Sequence, residues 1–395
     1  MTERVRRTKI ASTPRPRDRK EQIITAAGEL FYRRGFHNVG TEDIAQSVGI
    51  TAGALYRHFK GKQDLLAHTL TDVFDAATTL VVDASATSLD EMIHGLAVTA
   101  GGRRDLGILW NREARHLDPE RRSAMRERFF AFLEQFAIQL HKTRPELSEE
   151  DADLLSWCAL GVLTSPSYHR TEISAERMVP LLEAMTMAVV TTPLDRERGP
   201  AREAPAPGLQ PSSRRESILA QATRLFYERG YQAVTMDDVG SAVGMTSAGV
   251  YKYFTSKAEL LSAVISRASE PLQLGLTRAL AGASTDAEGL MNALDAYVEF
   301  ASVHHDLVGI LVSEVTNLPD AHRHSVRRAQ HDYVAEWVRL LRGTRPELSD
   351  RSARFLVHAF LTVVNDVTRT SHLLQRSTIR TDLELIGRRL LAAEV

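Results

Sequence analysis

The chain has 395 residues, 43% of them hydrophobic, a formal net charge of −1 and a single cysteine. That length suggests two or three domains with well-formed cores, and one cysteine excludes a disulfide framework. No apolar run approaches the roughly 20 residues of a bilayer span, and the basic N-terminus lacks the apolar segment of a signal peptide, so a cytoplasmic protein with no membrane partner is expected.

The charge is unevenly placed. Residues 1–62 hold 13 Lys/Arg against 6 Asp/Glu, and residues 212–257 hold 6 against 4. Two basic regions on an otherwise acidic chain suit two heads that face phosphates.

In chain order, residues 1–18 read as a basic arm without structure of its own. It would either track a DNA backbone or remain a solvated tail. From Arg19, the positions Ile23, Ala27, Leu30 and Phe31 form one apolar face of a helix, which Gly35 ends. Thr41, followed by Glu42 and Asp43, reads as a hydroxyl cap and acidic first turn of a second helix. Gly49 breaks that helix and Thr51 caps a third, which is the pattern of a helix-turn-helix over residues 19–66. A longer helix follows, with Leu65, Leu66, Leu70, Val73 and Phe74 on one side. Further helices are expected at 88–102, 105–117, 120–142, 149–168 and 174–191, within a first helical regulatory domain of residues 67–192. No stretch alternates at period two, so the fold class is all-α. Residues 193–213, rich in proline, read as a linker.

The pattern then begins again. Aligned without a gap, residues 19–66 and 214–261 share 19 identities in 48 positions. The second helix-turn-helix, 214–261, precedes a second helical regulatory domain, 262–395. TRPELS at 143–148 returns at 344–349, an offset of 201 rather than 195, so the second body carries a small insertion.

The motif LFYRRGF followed by TEDIAQSVGITAGALYRHFKGKQDLL, and its counterpart LFYERGY followed by TMDDVGSAVGMTSAGVYKYFTSKAELL, resemble the TetR family of bacterial regulators. The arrangement is similar to the family's uncommon double-module, single-chain form, and with its Arg/Ala-rich composition it also resembles actinobacterial lipid- and sterol-catabolism repressors. The resemblance implies that the helices beginning at Thr51 and Thr246 enter major grooves. Thr51, Ala52 and Gly53, and Thr246, Ser247 and Ala248, would then lie toward base edges. Tyr56 and His58, with Tyr251 and Tyr253, would donate to phosphates. Thr41 and Thr235 stand near the start of the second helix, although the first copy has Gly40 where the family has Thr. Lys62 and Lys257 stand in a first helical turn, where the dipole disfavours a cation. A phosphate explains them; a solvated surface lysine is the alternative. Phe59 and Phe254 read as core, and Tyr56 as a packed ring with its hydroxyl outward.

The resemblance further implies a pocket in each body for a small lipophilic effector. Trp110, Phe130, Phe136 and Trp157 are candidates in the first body and Tyr297, Phe300, Trp337 and Phe355 in the second; ordinary core is the alternative reading. No cofactor and no metal site is expected: the pairs His304/His305 and His322/His324 lack completing ligands, and Cys158 reads as a packed thiol. No phosphate loop or nucleophile elbow points to an enzyme. The expected function is a ligand-released repressor. Segments near 149–191 and 349–394 would pair as an intramolecular pseudo-dimer, with further self-association open, on an asymmetric double-stranded DNA operator. A ligand-independent architectural DNA-binding protein is the rival.

Overall fold

The computed structural model describes residues 16–83, 88–194 and 211–395. Most of the basic arm and of the linker lies outside the described residues. The described residues are all-α, without strands.

The first head comprises α1 (Pro16–Arg34), α2 (Thr41–Ser47) and α3 (Ala52–Leu55). Its body comprises α4 (Lys62–Asp83), α5 (Leu89–Gly101), α6 (Leu106–Ile108), α7 (Pro119–Thr143), α8 (Glu149–Thr164) and α9 (Ala175–Val190). The second head comprises α10 (Arg214–Arg229), α11 (Met236–Ala242) and α12 (Ser247–Tyr251). Its body comprises α13 (Lys257–Ala281), α14 (Asp286–Val303), α15 (His305–Ser313), α16 (Asp320–Thr344), α17 (Asp350–Thr368), α18 (Ser371–Leu374) and α19 (Ile379–Leu391). The expected helix at 105–117 is interrupted: after α6 come a π-helical turn, Leu109–Glu113, and a 3₁₀ turn, Ala114–His116.

The chain divides into two compact units. One holds the described residues up to Ala76 with Ile108–Phe130, the other Ala77–Gly107 with Ala131–Val395. In the first unit, α1 packs on α2 and α2 on α3, and Ile23, Ala27 and Phe31 of α1, Ile44, Leu55, Phe59, and Leu65, Leu66 and Leu70 of α4 are all buried. Residues spaced three and four apart on α1 and α4 thus supply one apolar stripe each. Contrary to the expectation from sequence, α4 is long and apolar enough to cross a membrane by length and composition. Its Leu65, Leu66, Leu70, Val73 and Phe74, however, are all buried in the protein.

The second unit carries an equivalent head core, Ile218, Ala222, Phe226, Val239, Val250, Phe254, Leu260, Leu261 and Val264. It also holds the packing of α8 on α17, α9 on α19, α8 on α9 and α17 on α19. Gly161 allows α8 to come close to α17: a Cβ there would stand 3.1 Å from Val363 Cα. The insertion lies early in the second body. The offset between the copies is 197 residues at the capping residues Ser88 and Thr285 and 201 at Leu117 and Leu318, and α14 has 18 residues against 13 in α5.

Candidate nucleic-acid interface

In both heads the turn between the second and third helices is closed in the same way. Ile50 N donates to Ala45 O at 3.0 Å and Met245 N to Gly240 O at 2.8 Å. Gly49 and Gly244 take φ of +68° and +66°, a region costly for a side chain. The third helix is short and is started by a threonine. Thr51 Oγ1 accepts from Ala54 N at 3.3 Å, and Thr246 Oγ1 accepts from Gly249 N at 3.3 Å. A hydroxyl that accepts in this way keeps its own O–H free to donate outward.

Leu55 and Val250 anchor these helices, both fully buried, while Thr51, Gly53, Thr246 and Ala248 are exposed and Ala52 and Ser247 half-buried. The outer surface of each third helix is therefore made of small groups. His58, Tyr251 and Tyr253 are exposed beside it. Tyr56 is 54% exposed, so the expected packed ring is not what forms. Its hydroxyl instead meets Thr41 Oγ1 at 3.1 Å. Thr41 is the first residue of α2 rather than its cap. Gly40 takes the cap position, and Gly40 N donates to Asp43 Oδ2 at 2.7 Å. In the second head Thr235 is a true cap, accepting from Asp238 N at 3.1 Å, and Met236 stands at the position of Thr41.

Lys62 and Lys257 are bonded within their own heads. Lys62 Nζ donates to Phe36 O at 2.6 Å and Val39 O at 2.9 Å, and sits 4.2 Å from the Phe36 ring centroid. Lys257 Nζ repeats this on Tyr231 O at 2.9 Å, Val234 O at 2.8 Å and the Tyr231 ring at 4.2 Å. Carbonyls and an aromatic face thus account for a cation at the start of a helix without a phosphate. Burial lowers both lysine pKa values, opposed by the charge of Glu113 at Lys62 and of Asp238 and Glu314 at Lys257.

Two further features were missed. Arg57 and Lys252, 195 residues apart, are exposed next to the tyrosines, and neither forms an ion pair among the described residues. Retention of positive charge at one register was the available signal. Glu113 is 2% exposed and its Oε2 accepts from Phe36 N at 2.8 Å. Arg112 pairs with Glu113 and donates to Tyr32 O at 3.1 Å, so the π-helical turn is tied to the end of the first head's α1. Its equivalent, Glu314, is 1% exposed and accepts from Asn317 Nδ2 at 2.7 Å.

The eight aromatic candidates do not line one type of site. Trp110 stacks on Phe129 at 3.9 Å, with Phe74 edge-on. Phe130 is 44% exposed, and Phe136 is wholly buried beside Phe132. Tyr297 and Trp337 gather with Tyr333 and Phe360, and Tyr297 Oη donates to Asn365 Oδ1 at 2.7 Å. Phe300 lies against His304. Trp157 and Phe355 are corrected: they sit where α8 and α17 meet, Trp157 5.9 Å from His372 and Phe355 4.4 Å from His169. An open groove of about 540 Å³ between α5 and α9, bordered by Asp90, His94 and Glu183, includes none of the eight.

Comparison with known proteins gives the following. Residues 23–69 and 218–264 match the family described as "Bacterial regulatory proteins, tetR family", and 283–369 match "Tetracyclin repressor-like, C-terminal domain". A 96-residue stretch, 24% of this chain and 43% of the relative, is 33% identical to the HTH-type transcriptional activator FasR of Mycolicibacterium smegmatis. A 60-residue stretch, 15% of this chain and 29% of the relative, is 37% identical to the HTH-type transcriptional repressor KstR2 of the same organism. The chain thus spans less than half the length of these two curated relatives. A crystal structure of a TetR-family transcriptional regulator from Bordetella parapertussis 12822 aligns over 46% of this chain and 93% of its own, at 17% identity and a TM-score of 0.42.

Proposed function

As a member of the TetR family that carries two of the family's N-terminal domains in one polypeptide, the chain is, we propose, a cytoplasmic DNA-binding transcriptional repressor that reads an asymmetric operator. One observation carries the reading. Each head presents a short, threonine-capped helix with a small outer surface, flanked by an exposed tyrosine and an exposed cation, and the two outer surfaces differ. Small groups admit close approach to base edges, where Thr51, Ala52 and Gly53 would read one half-site and Thr246, Ser247 and Ala248 the other. Tyr56, Arg57 and His58, with Tyr251, Lys252 and Tyr253, hold phosphates and set register without specifying sequence.

The packing of α8 and α9 on α17 and α19 serves as the intramolecular counterpart of a dimer interface, placing two unlike heads on one duplex. Release follows when a small lipophilic effector shifts the body helices behind the heads. The buried Glu113, bonded to Phe36 N, is the element that transmits such a shift in the first head.

Footprinting on the DNA upstream of the protein's own coding sequence tests this, with and without a panel of lipophilic compounds. Two unequal half-sites about one helical turn apart are expected, with protection lost on effector addition. A perfect palindrome overturns the asymmetric reading. Operator and random DNA bound equally at fixed salt favours a ligand-independent architectural protein. A footprint that persists while transcription rises favours an activator.

A further inference from the structure

The contact of α8 and α9 with α17–α19 is built differently at its two ends. At one end Arg376, between α18 and α19, is nearly buried. Its Nη2 donates to Asp151 Oδ1 at 2.7 Å and to Asp382 Oδ2 at 3.3 Å, and its Nη1 donates to Glu150 O at 2.8 Å. His372 Nε2 lies 2.9 Å from Asp153 Oδ2. Asp151 and Asp382 are each 4% exposed. The other end is built on aromatic rings among the described residues. The ring of His169 lies 4.4 Å from both Phe355 and His358, stacked on the latter, and burial holds both histidines far below the ordinary imidazole range.

Sequence equivalence turns this difference into a rule. The 201-residue offset holds at both limits of the region. TRPELS opens each copy, and Arg144 and Arg345 close them by donating to the main-chain oxygens of Thr192 and Ala393 at 3.2 and 2.8 Å. The offset equates Asp151 with Ser352, Asp153 with Arg354, His372 with Thr171 and Arg376 with Ala175. Of the acids that meet these cations, Asp151 and Asp153 come from the first module and Asp382 from the second, whereas both cations come from the second alone. Two first modules paired together would bury Asp151 with alanine at the position equivalent to Arg376. Two second modules would set His372 against Arg354 and place Ser352 where Asp151 meets Arg376, which would keep Asp382 of its own module. An uncompensated buried charge is strongly unfavourable, whereas the pair itself adds little net stability. The cluster thus does more to reject wrong pairings than to strengthen the right one.

We propose that the Arg376–Asp151–Asp382 cluster with His372–Asp153 is a selectivity element, so that the α8–α9 face of the first module recognises the α17–α19 face of a second module and neither face recognises itself. The inference rests on the intramolecular pairing proposed above and adds which faces pair. The apolar remainder, including Gly161 against Val363, supplies contact area and little discrimination, because apolar surfaces tolerate one another.

The test uses the full chain with a protease site placed within residues 195–210. The protein is folded, cut, mixed with an isotopically heavy copy treated alike, and read by native mass spectrometry. Pairs of one N-terminal and one C-terminal half are expected, light and heavy interchanging, with like pairs below roughly one-tenth of the total. Like pairs at comparable abundance overturn the selectivity alone, whereas unpaired halves overturn the pairing itself and the selectivity with it. A second arm mixes cut wild-type protein with the cut double variant Asp151→Arg/Arg376→Asp. Sorting of like with like by at least about tenfold is expected from complementary charge. Random sorting overturns the role of these two residues. If the double variant does not fold, the wild-type arm still decides.

Discussion

The two heads share a scaffold and differ in what they present. Lys62 and Lys257 cap equivalent carbonyls, Lys20 and Arg215 lie over Phe59 and Phe254, and Arg19 and Arg214 donate to Val48 O and Val243 O. Outward, Thr41 braces Tyr56 in the first head while Met236 offers Tyr251 no hydroxyl. The second head has side-chain caps where the first has glycine, Thr235 for Gly40 and Ser256 for Gly61. A residue type retained in both copies therefore marks a shared internal bond as readily as a shared ligand. The first head is the more basic and the second the better capped.

Breaking the shared scaffold has the largest effect. Lys62→Met or Lys257→Met should cost about 2 kcal/mol in urea unfolding, because two carbonyls lose their charged donor, and leave the salt dependence of DNA binding unchanged. A lower salt slope with intact stability would restore the phosphate role. Next comes the capping difference. Thr235→Ala should cost about 1 kcal/mol, whereas Gly40→Ala, which removes no hydroxyl, should not show a loss of that origin. Equal losses in thermal melts would remove the contrast.

Smaller effects sharpen the outward comparison. Arg57→Ala and Lys252→Ala should each weaken binding to all sequences alike and lower the salt slope by about 1, read from affinity across a salt series. Tyr56→Phe should weaken binding more than Tyr251→Phe, by a few-fold on the order of one hydrogen bond, since Thr41 holds the Tyr56 hydroxyl in place. Equal effects would mean that this contact does not orient it.

Much of the fold was legible because helix faces are local. The spacing of Ile23, Ala27 and Phe31, or of Leu65, Leu66 and Leu70, reports burial through the 3.6-residue period, and the caps at Thr51 and Thr246 act over three residues. The duplication was legible too, because it needs only the sequence compared with itself.

What the tertiary structure decided is where charge and aromatic surface go. Lys62 is satisfied by carbonyls 23 and 26 residues away, Phe36 by a glutamate 77 residues on, and Asp151 by Arg376 across 225 residues. Trp157 and Phe355 face the other module rather than an enclosed pocket for the same reason. Sequence periodicity states that one side of a helix is buried but not against what, and a long charged side chain takes whichever partner the fold brings within reach. The sequence by itself determined two all-α modules whose third helices carry unlike residues. Only the packing of distant helices decided which cations are bound within the protein and which remain exposed.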